Sequence, residues 1–150
     1  MTKAISVPEP LWAHEAGAHV IARATTERDQ RAADLAEAAQ TAQVIAANRD
    51  SWWAALHEAL RAAAAAFTAT SGTPAVIFED MHKVGVRIDE AAAVFVLLAE
   101  NSVMISQRRA GRSDTRCLDL GADGDHITPP AADLARAELE PFFLAVNPTQ

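Results

Sequence analysis

Four arginines crowd one stretch of the chain, at Arg108, Arg109, Arg112 and Arg116. A guanidinium is a planar fork of N–H donors, so a cluster of them can grip a phosphate or a carboxylate through paired hydrogen bonds. Three of the four lie in the polar, glycine-bearing segment Arg108–Asp114, which reads as a loop between two strands, and Arg116 follows it. They are therefore the anion-binding candidates. The opposing reading is a solvated hairpin tip whose arginines balance Asp114 and Asp119. No aromatic residue is interleaved among them for base stacking, so a nucleic acid is not the expected partner. Asp119, Asp123 and Asp125 beside Gly124 miss the ligand spacing of a calcium loop and read as a tight turn. Cys117 needs a base at its side to act as a nucleophile. Its place in an alternating strand suggests a small packed side chain instead.

The second constellation is His14-Glu15-Ala16-Gly17-Ala18-His19. It resembles the HExxH zinc site of metalloproteases, and its opening is similar to the HEAGH motif of membrane-associated ATP-dependent proteases. In that family the histidines are four apart, share one helix face and reach one metal, with the glutamate beside it. Here they are five apart, about 500° of helical rotation, so they diverge. The resemblance covers six residues and implies a metal-dependent hydrolase using His14, Glu15 and His19, which the spacing opposes. His57, His82 and His126 stand alone in the sequence. There is no G-x-S-x-G, no P-loop and no G-x-G-x-x-G. No cofactor is expected.

Trp52-Trp53 is the third feature. Adjacent helical residues point about 100° apart, so with Trp53 in the core Trp52 lies near its edge or in solvent, an anchor for a contact surface. Burial of both within one monomer is the alternative. Trp12, Ala42 and Ala46 join Trp52 as interface candidates, the alanines because small side chains let helices approach closely.

The elements that carry these residues follow from periodicity. Residues 1–10 are a polar lead-in with Pro8 and Pro10. From Leu11 the chain is alanine-rich, and alanine is the best helix former. We expect helix to about Ala24, a wobble at Thr25–Asp29, helix again to Ala47, and a break at Asn48–Ser51 with Asp50 or Ser51 as N-cap. The first helices would pair as a hairpin or meet a second subunit. A further helix from Trp52 to about Thr68 buries Trp53, Leu56, Leu60, Ala63, Ala64 and Phe67, with Glu58 and Arg61 pairing on its polar side. Gly72 and Pro74 end it.

After Pro74 the period changes to that of strands. Ala75–Phe78 and Val84–Ile88 come first. Ala91–Gln107 is the longest apolar run, broken only at Glu100-Asn101-Ser102, and reads as a central hairpin. A helix over Glu90–Ala99, capped by Asp89, is the competing reading for its first half. Thr115–Leu120 and His126–Thr128 complete about five strands. Pro129-Pro130 opens a last helix that runs to Pro141 and covers one sheet face, with Phe142, Phe143, Leu144 and Val146 as a docking tail. The fold class is α+β in a single domain, 1–150: helical half 11–70, sheet half 75–128, C-terminal helix and tail 129–150.

Composition narrows the function. Of 150 residues, half are apolar and 22% charged, as in a folded globular chain, and the net charge of -7 repels phosphates and anionic membranes on average. One cysteine allows no internal disulfide. No apolar run reaches the roughly 20 residues a membrane helix needs, and the N-terminus lacks a signal-peptide core. The expected protein is small, acidic and cytoplasmic, and its alanine and arginine usage suggests a bacterial source. It would be a protein-binding or adaptor protein without catalytic activity, a homo-oligomer joined through its helical half, with a protein partner of unknown identity. A secretion-chaperone-like or immunity-like role is the analogy. The alternatives are the hydrolase above and a phosphate or nucleic-acid binder using the Arg108–Arg116 loop.

Overall fold

The computed structural model describes residues 10–147. The expected lead-in falls, but for Pro10, outside the described residues. The order of elements is α1 (Leu11–Ser71), β1 (Val76–Glu79), β2 (Lys83–Asp89), β3 (Ala92–Leu98), β4 (Ser102–Arg109), β5 (Arg112–Asp119), β6 (Gly121–Asp123), β7 (His126–Thr128) and α2 (Ala131–Leu144). This is the α+β arrangement that the switch in periodicity implies. No helix among the described residues is long and apolar enough to cross a membrane.

The helical part corrects the expectation of several helices. Neither the wobble at Thr25–Asp29 nor the break at Asn48–Ser51 interrupts α1. The polar side chains at those points bond back onto the helix rather than cap a new one. The Thr25 and Thr26 hydroxyls donate to the Ile21 and Ala22 carbonyls at 3.0 and 2.9 Å. Asn48 Nδ2 donates to the Val44 carbonyl at 2.8 Å, and the Ser51 hydroxyl to the Asn48 carbonyl at 3.0 Å. No proline falls between Leu11 and Ser71 to stop the turn-by-turn bonding. Among the described residues one continuous helix therefore stands in place of the expected helical hairpin. The expected stop is present: Gly72 takes φ 71° and its N–H bonds the Thr68 carbonyl at 3.0 Å.

Packing divides the chain at Gln40/Thr41 into two compact units. In the first unit every described residue is exposed. The second holds the core, in which Ile45, Trp52, Trp53, Leu56, Leu60 and Ala64 of α1 pack with the sheet and α2. The change of secondary structure at Gly72–Pro74 therefore does not coincide with the change of packing.

The sheet is an antiparallel meander in the order β1-β2-β3-β4-β5, with β3 at its centre. The run Ala91–Gln107 forms the β3–β4 hairpin, with Val96 opposite Ile105 and Leu98 opposite Val103. The helical alternative for Glu90–Ala99 does not form. The Asp89 carboxylate accepts from the Ala91 N–H at 2.7 Å and shapes a turn instead. Alternation puts Val84, Val86, Val94, Val96, Val103 and Ile105 on one buried face, beneath α1 and α2.

On the other face, Gly85 opposes both Phe78 and Phe95. Those rings meet edge to face at 6.3 Å, and the Lys83 ammonium lies 4.5 Å from the Phe95 centroid. A methyl group at Gly85 would sit 2.4 Å from Phe78 Cζ and 2.5 Å from the Val94 carbonyl oxygen.

Three differences remain in the C-terminal part. The expected edge strand His126–Thr128 does not join the main sheet but pairs with β6, Ala122 opposite Ile127, as a separate two-stranded ribbon. The expected loop Arg108–Asp114 is a two-residue turn, Ala110-Gly111, with φ 52° and 79°. Positive φ at both positions gives the turn whose twist matches its strands. The last helix does not end before Pro141 but carries it inside α2, so that Phe142 is buried and Phe143 stacks on Phe67 at 4.2 Å.

Candidate functional site

The arginines lie on paired strands, not on a flexible loop, and most are engaged inside the chain. Arg109 donates to the Phe142 and Ala145 carbonyls at 2.6 and 2.7 Å, with its guanidinium 4.9 Å from the Phe142 ring. It thus satisfies carbonyls at the end of α2, which have no helical partner of their own. Arg108 donates to the Glu90 carbonyl at 3.1 Å. Arg116 binds Glu138, a buried carboxylate that also accepts from Gln107 Nε2 at 3.2 Å. The expected balancing by Asp114 and Asp119 is replaced by these partners. Arg112 is exposed. Alternation along β4 and β5 sends Arg108 to the opposite sheet face from the other three. The four do not converge into an anion clamp.

His14, Glu15 and His19 sit on the exposed part of α1, with the five-residue spacing that separates the two imidazoles. Among the described residues no group of three or more His, Cys, Asp or Glu side chains is placed to hold a metal ion. Cys117 is exposed, not packed, because β5 is an edge strand uncovered on that side.

Trp52 is corrected as an interface anchor. It is buried within the chain, and its Nε1–H donates to the Pro129 carbonyl at 2.9 Å. Trp53 is buried as expected and donates to the Met81 carbonyl at 3.2 Å. Ala42 is half-buried and Ala46 exposed. Trp12 remains an open contact candidate at 73% exposure, together with Leu11 at 71%, Val20 at 53%, Ile21 at 69% and Leu35 at 72%.

One cluster was not visible as such in the sequence. Arg61 and His57, one helical turn apart on α1, both reach Glu79 at the end of β1. Arg61 donates through Nε and Nη2, each at 2.5 Å, and the His57 Nδ1–H donates at 2.9 Å. The Arg61 hydrogen bonds first, and the His57 bond second, hold the Glu79 carboxyl down to about 2 against a smaller opposing effect of burial. The same contact raises Arg61, and its expected pair with Glu58 forms at 3.3 Å. With Asp50, Trp53, Ala54, Asp80 and Met81, the pair His57 and Arg61 lines a pocket of about 350 Å³.

The chemistry available there is limited. A carboxylate held that low stays ionised and is a poor proton carrier at neutral pH. A His–carboxylate pair serves catalysis when the second ring nitrogen faces a reacting group. Here Nε2 is buried without a hydrogen-bond partner among the described residues, and the His57 and Trp53 rings meet edge to face with centroids 4.7 Å apart. The cluster ties β1 to α1.

A second concavity, of about 580 Å³, runs between the end of α1 and α2, lined by Ala63, Phe67, Leu139, Phe143 and Leu144. No protein-family model, no curated protein and no solved structure matches the chain.

Proposed function

We propose that this acidic protein is a cytoplasmic binding or adaptor protein without catalytic activity, and that the contact element is the stretch of α1 from Leu11 to Gln40. The observation that carries the reading is the exposure of large apolar side chains there. Leu11, Trp12, Ile21 and Leu35 each leave about seven-tenths of their surface to solvent. Scattered apolar residues on a surface are ordinary, but Ile21 and Leu35 share one face of the helix with Val20 beside them, which suits helix-to-helix recognition, while Trp12 points away from that face. The alanines between them let a second helix approach closely. A helix of the same kind from another copy is the simplest partner, so the helical half would self-associate.

Sedimentation velocity of the full chain tests this. The wild type should sediment as an oligomer, and the variant combining Trp12→Ala, Ile21→Ala and Leu35→Ala should shift to a smaller species while keeping its circular dichroism. An unchanged distribution in the variant, or a strictly monomeric wild type, removes helical self-association.

A further inference from the structure

We infer that β5 is a second, independent contact between copies of this chain, in which the two β5 strands pair antiparallel and join the sheets edge to edge. Among the described residues β5 ends the sheet, bonded only to β4. It is eight residues long, and all but Leu118 are exposed. The opposite edge, β1, has four residues. An uncovered edge strand carries a row of unpaired N–H and C=O groups ready to extend a sheet.

The turn decides which groups are free. Arg109 and Arg112 close the two-residue turn as Cα partners, and the β4–β5 register runs without a bulge to Ser102 and Asp119. The pair flanking such a turn exchanges hydrogen bonds, so by alternation Arg112, Asp114, Arg116 and Leu118 turn their backbone groups to β4. Ser113, Thr115 and Cys117 turn theirs outward.

The charges then select one register. Arg112, Asp114 and Arg116 share a sheet face and alternate in sign, where a run of one sign would repel a second strand. Pairing must oppose odd-numbered residues to odd-numbered ones for the outward groups to bond and for the buried faces to continue from one sheet into the other. With Thr115 opposite Thr115 of the second copy, Asp114 lies opposite Arg116 of the second copy, twice by symmetry; Arg116 keeps its bond to Glu138, and its side chain is still 61% exposed. Those sit at the closer, non-hydrogen-bonded positions, and about six backbone hydrogen bonds form around them. Sliding by one repeat in either direction opposes Asp114 to Asp114, or Arg116 to Arg116. Centring on Ser113 also opposes Asp114 to Arg112, but only residues 112–114 of the two strands then overlap, so the Thr115 register is the one that matches opposite charges along the strand, and it commits this edge to a second copy of the same chain.

Thr115→Cys in a Cys117→Ser background tests the register without touching the helix. Facing α-carbons in a hydrogen-bonded pair lie about 5.5 Å apart, within disulfide reach, whereas a slipped register moves the two introduced thiols beyond about 7 Å. Mild oxidation should link this variant into a covalent dimer and leave the wild type, whose Cys117 faces Ser113, unlinked. Adding Asp114→Arg should lower the association constant about tenfold by opposing like charges. Thr115→Pro should abolish the contact while preserving the fold, because the N–H it removes faces solvent. No disulfide in the Thr115→Cys variant, equal linking through wild-type Cys117, or association indifferent to Asp114→Arg and Thr115→Pro overturns the proposal. The helix variants above leave this disulfide unaffected, so the two readings fail separately.

Discussion

Arg61 Nε and Glu79 Oε1 stand 2.5 Å apart, and Nη2 reaches the other carboxylate oxygen at the same distance, so a single residue of α1 grips the end of β1 with a two-pronged bond. His57 shares the carboxylate from one helical turn away. The bond joins residues 18 apart, across the connection from α1 to β1.

That geometry predicts an acid-sensitive contribution to stability. Glu79 is lowered from an ordinary value of 4.5 to about 2 in the folded chain, chiefly by Arg61. A depressed carboxylate adds stability that is present above its unfolded value and is lost as pH falls toward the folded one. Glu79→Gln should therefore lower the urea midpoint at pH 7, and the gap from wild type should close between about pH 4.5 and pH 2. Because the side chain is partly solvated, the gap is expected to be small. A gap that persists unchanged at pH 2 contradicts the assignment.

Gly85 should not tolerate a side chain. The nearest atom to an added Cβ after Phe78 is the Val94 backbone oxygen, which cannot rotate away. Gly85→Ala should cost about 1–3 kcal/mol by forcing strand and ring apart. Chemical denaturation measures it, and a change within error would show that the close approach is relieved elsewhere.

Trp52 and Trp12 should separate stability from association. Trp52→Phe removes the donor to the Pro129 carbonyl and should lower stability by about 1 kcal/mol, with sedimentation unchanged. Trp12→Ala, at an exposed position, should leave stability nearly unchanged. The reverse pattern would restore Trp52 as the contact residue.

How far the sequence discloses the molecule depends on the range of each interaction. Val84, Val86 and Ile88 alternate with Gly85 and Arg87, so their strand is written locally. The Gly72 stop and the Gly124 turn, with φ 71° and 59°, are equally local. α1 is less legible, because Thr25, Thr26, Asn48 and Ser51 are residues that cap helices elsewhere and here bond backward along the same one. Trp52 was ambiguous because the carbonyl it binds is 77 residues away. The arginine cluster misled for a related reason. Their spacing invites a shared ligand, but strand alternation and the carbonyls of α2 distribute them. The His57–Arg61–Glu79 cluster left a faint trace: two basic side chains one turn apart, and a carboxylate ending an apolar strand.

The position of α2 in the chain also sets an order of events at birth. Leu134, Leu139 and Phe142 are buried in the same core as Val84 to Ile105, yet all are translated after every strand they cover. At roughly 5–20 residues per second, a nascent sheet waits a few seconds with the part of its apolar face that α2 covers still bare. Ribosome stalling or proteolysis before Ala131 would release that face uncovered, so quality-control factors that recognise exposed aliphatic strands should meet this protein during synthesis rather than after it.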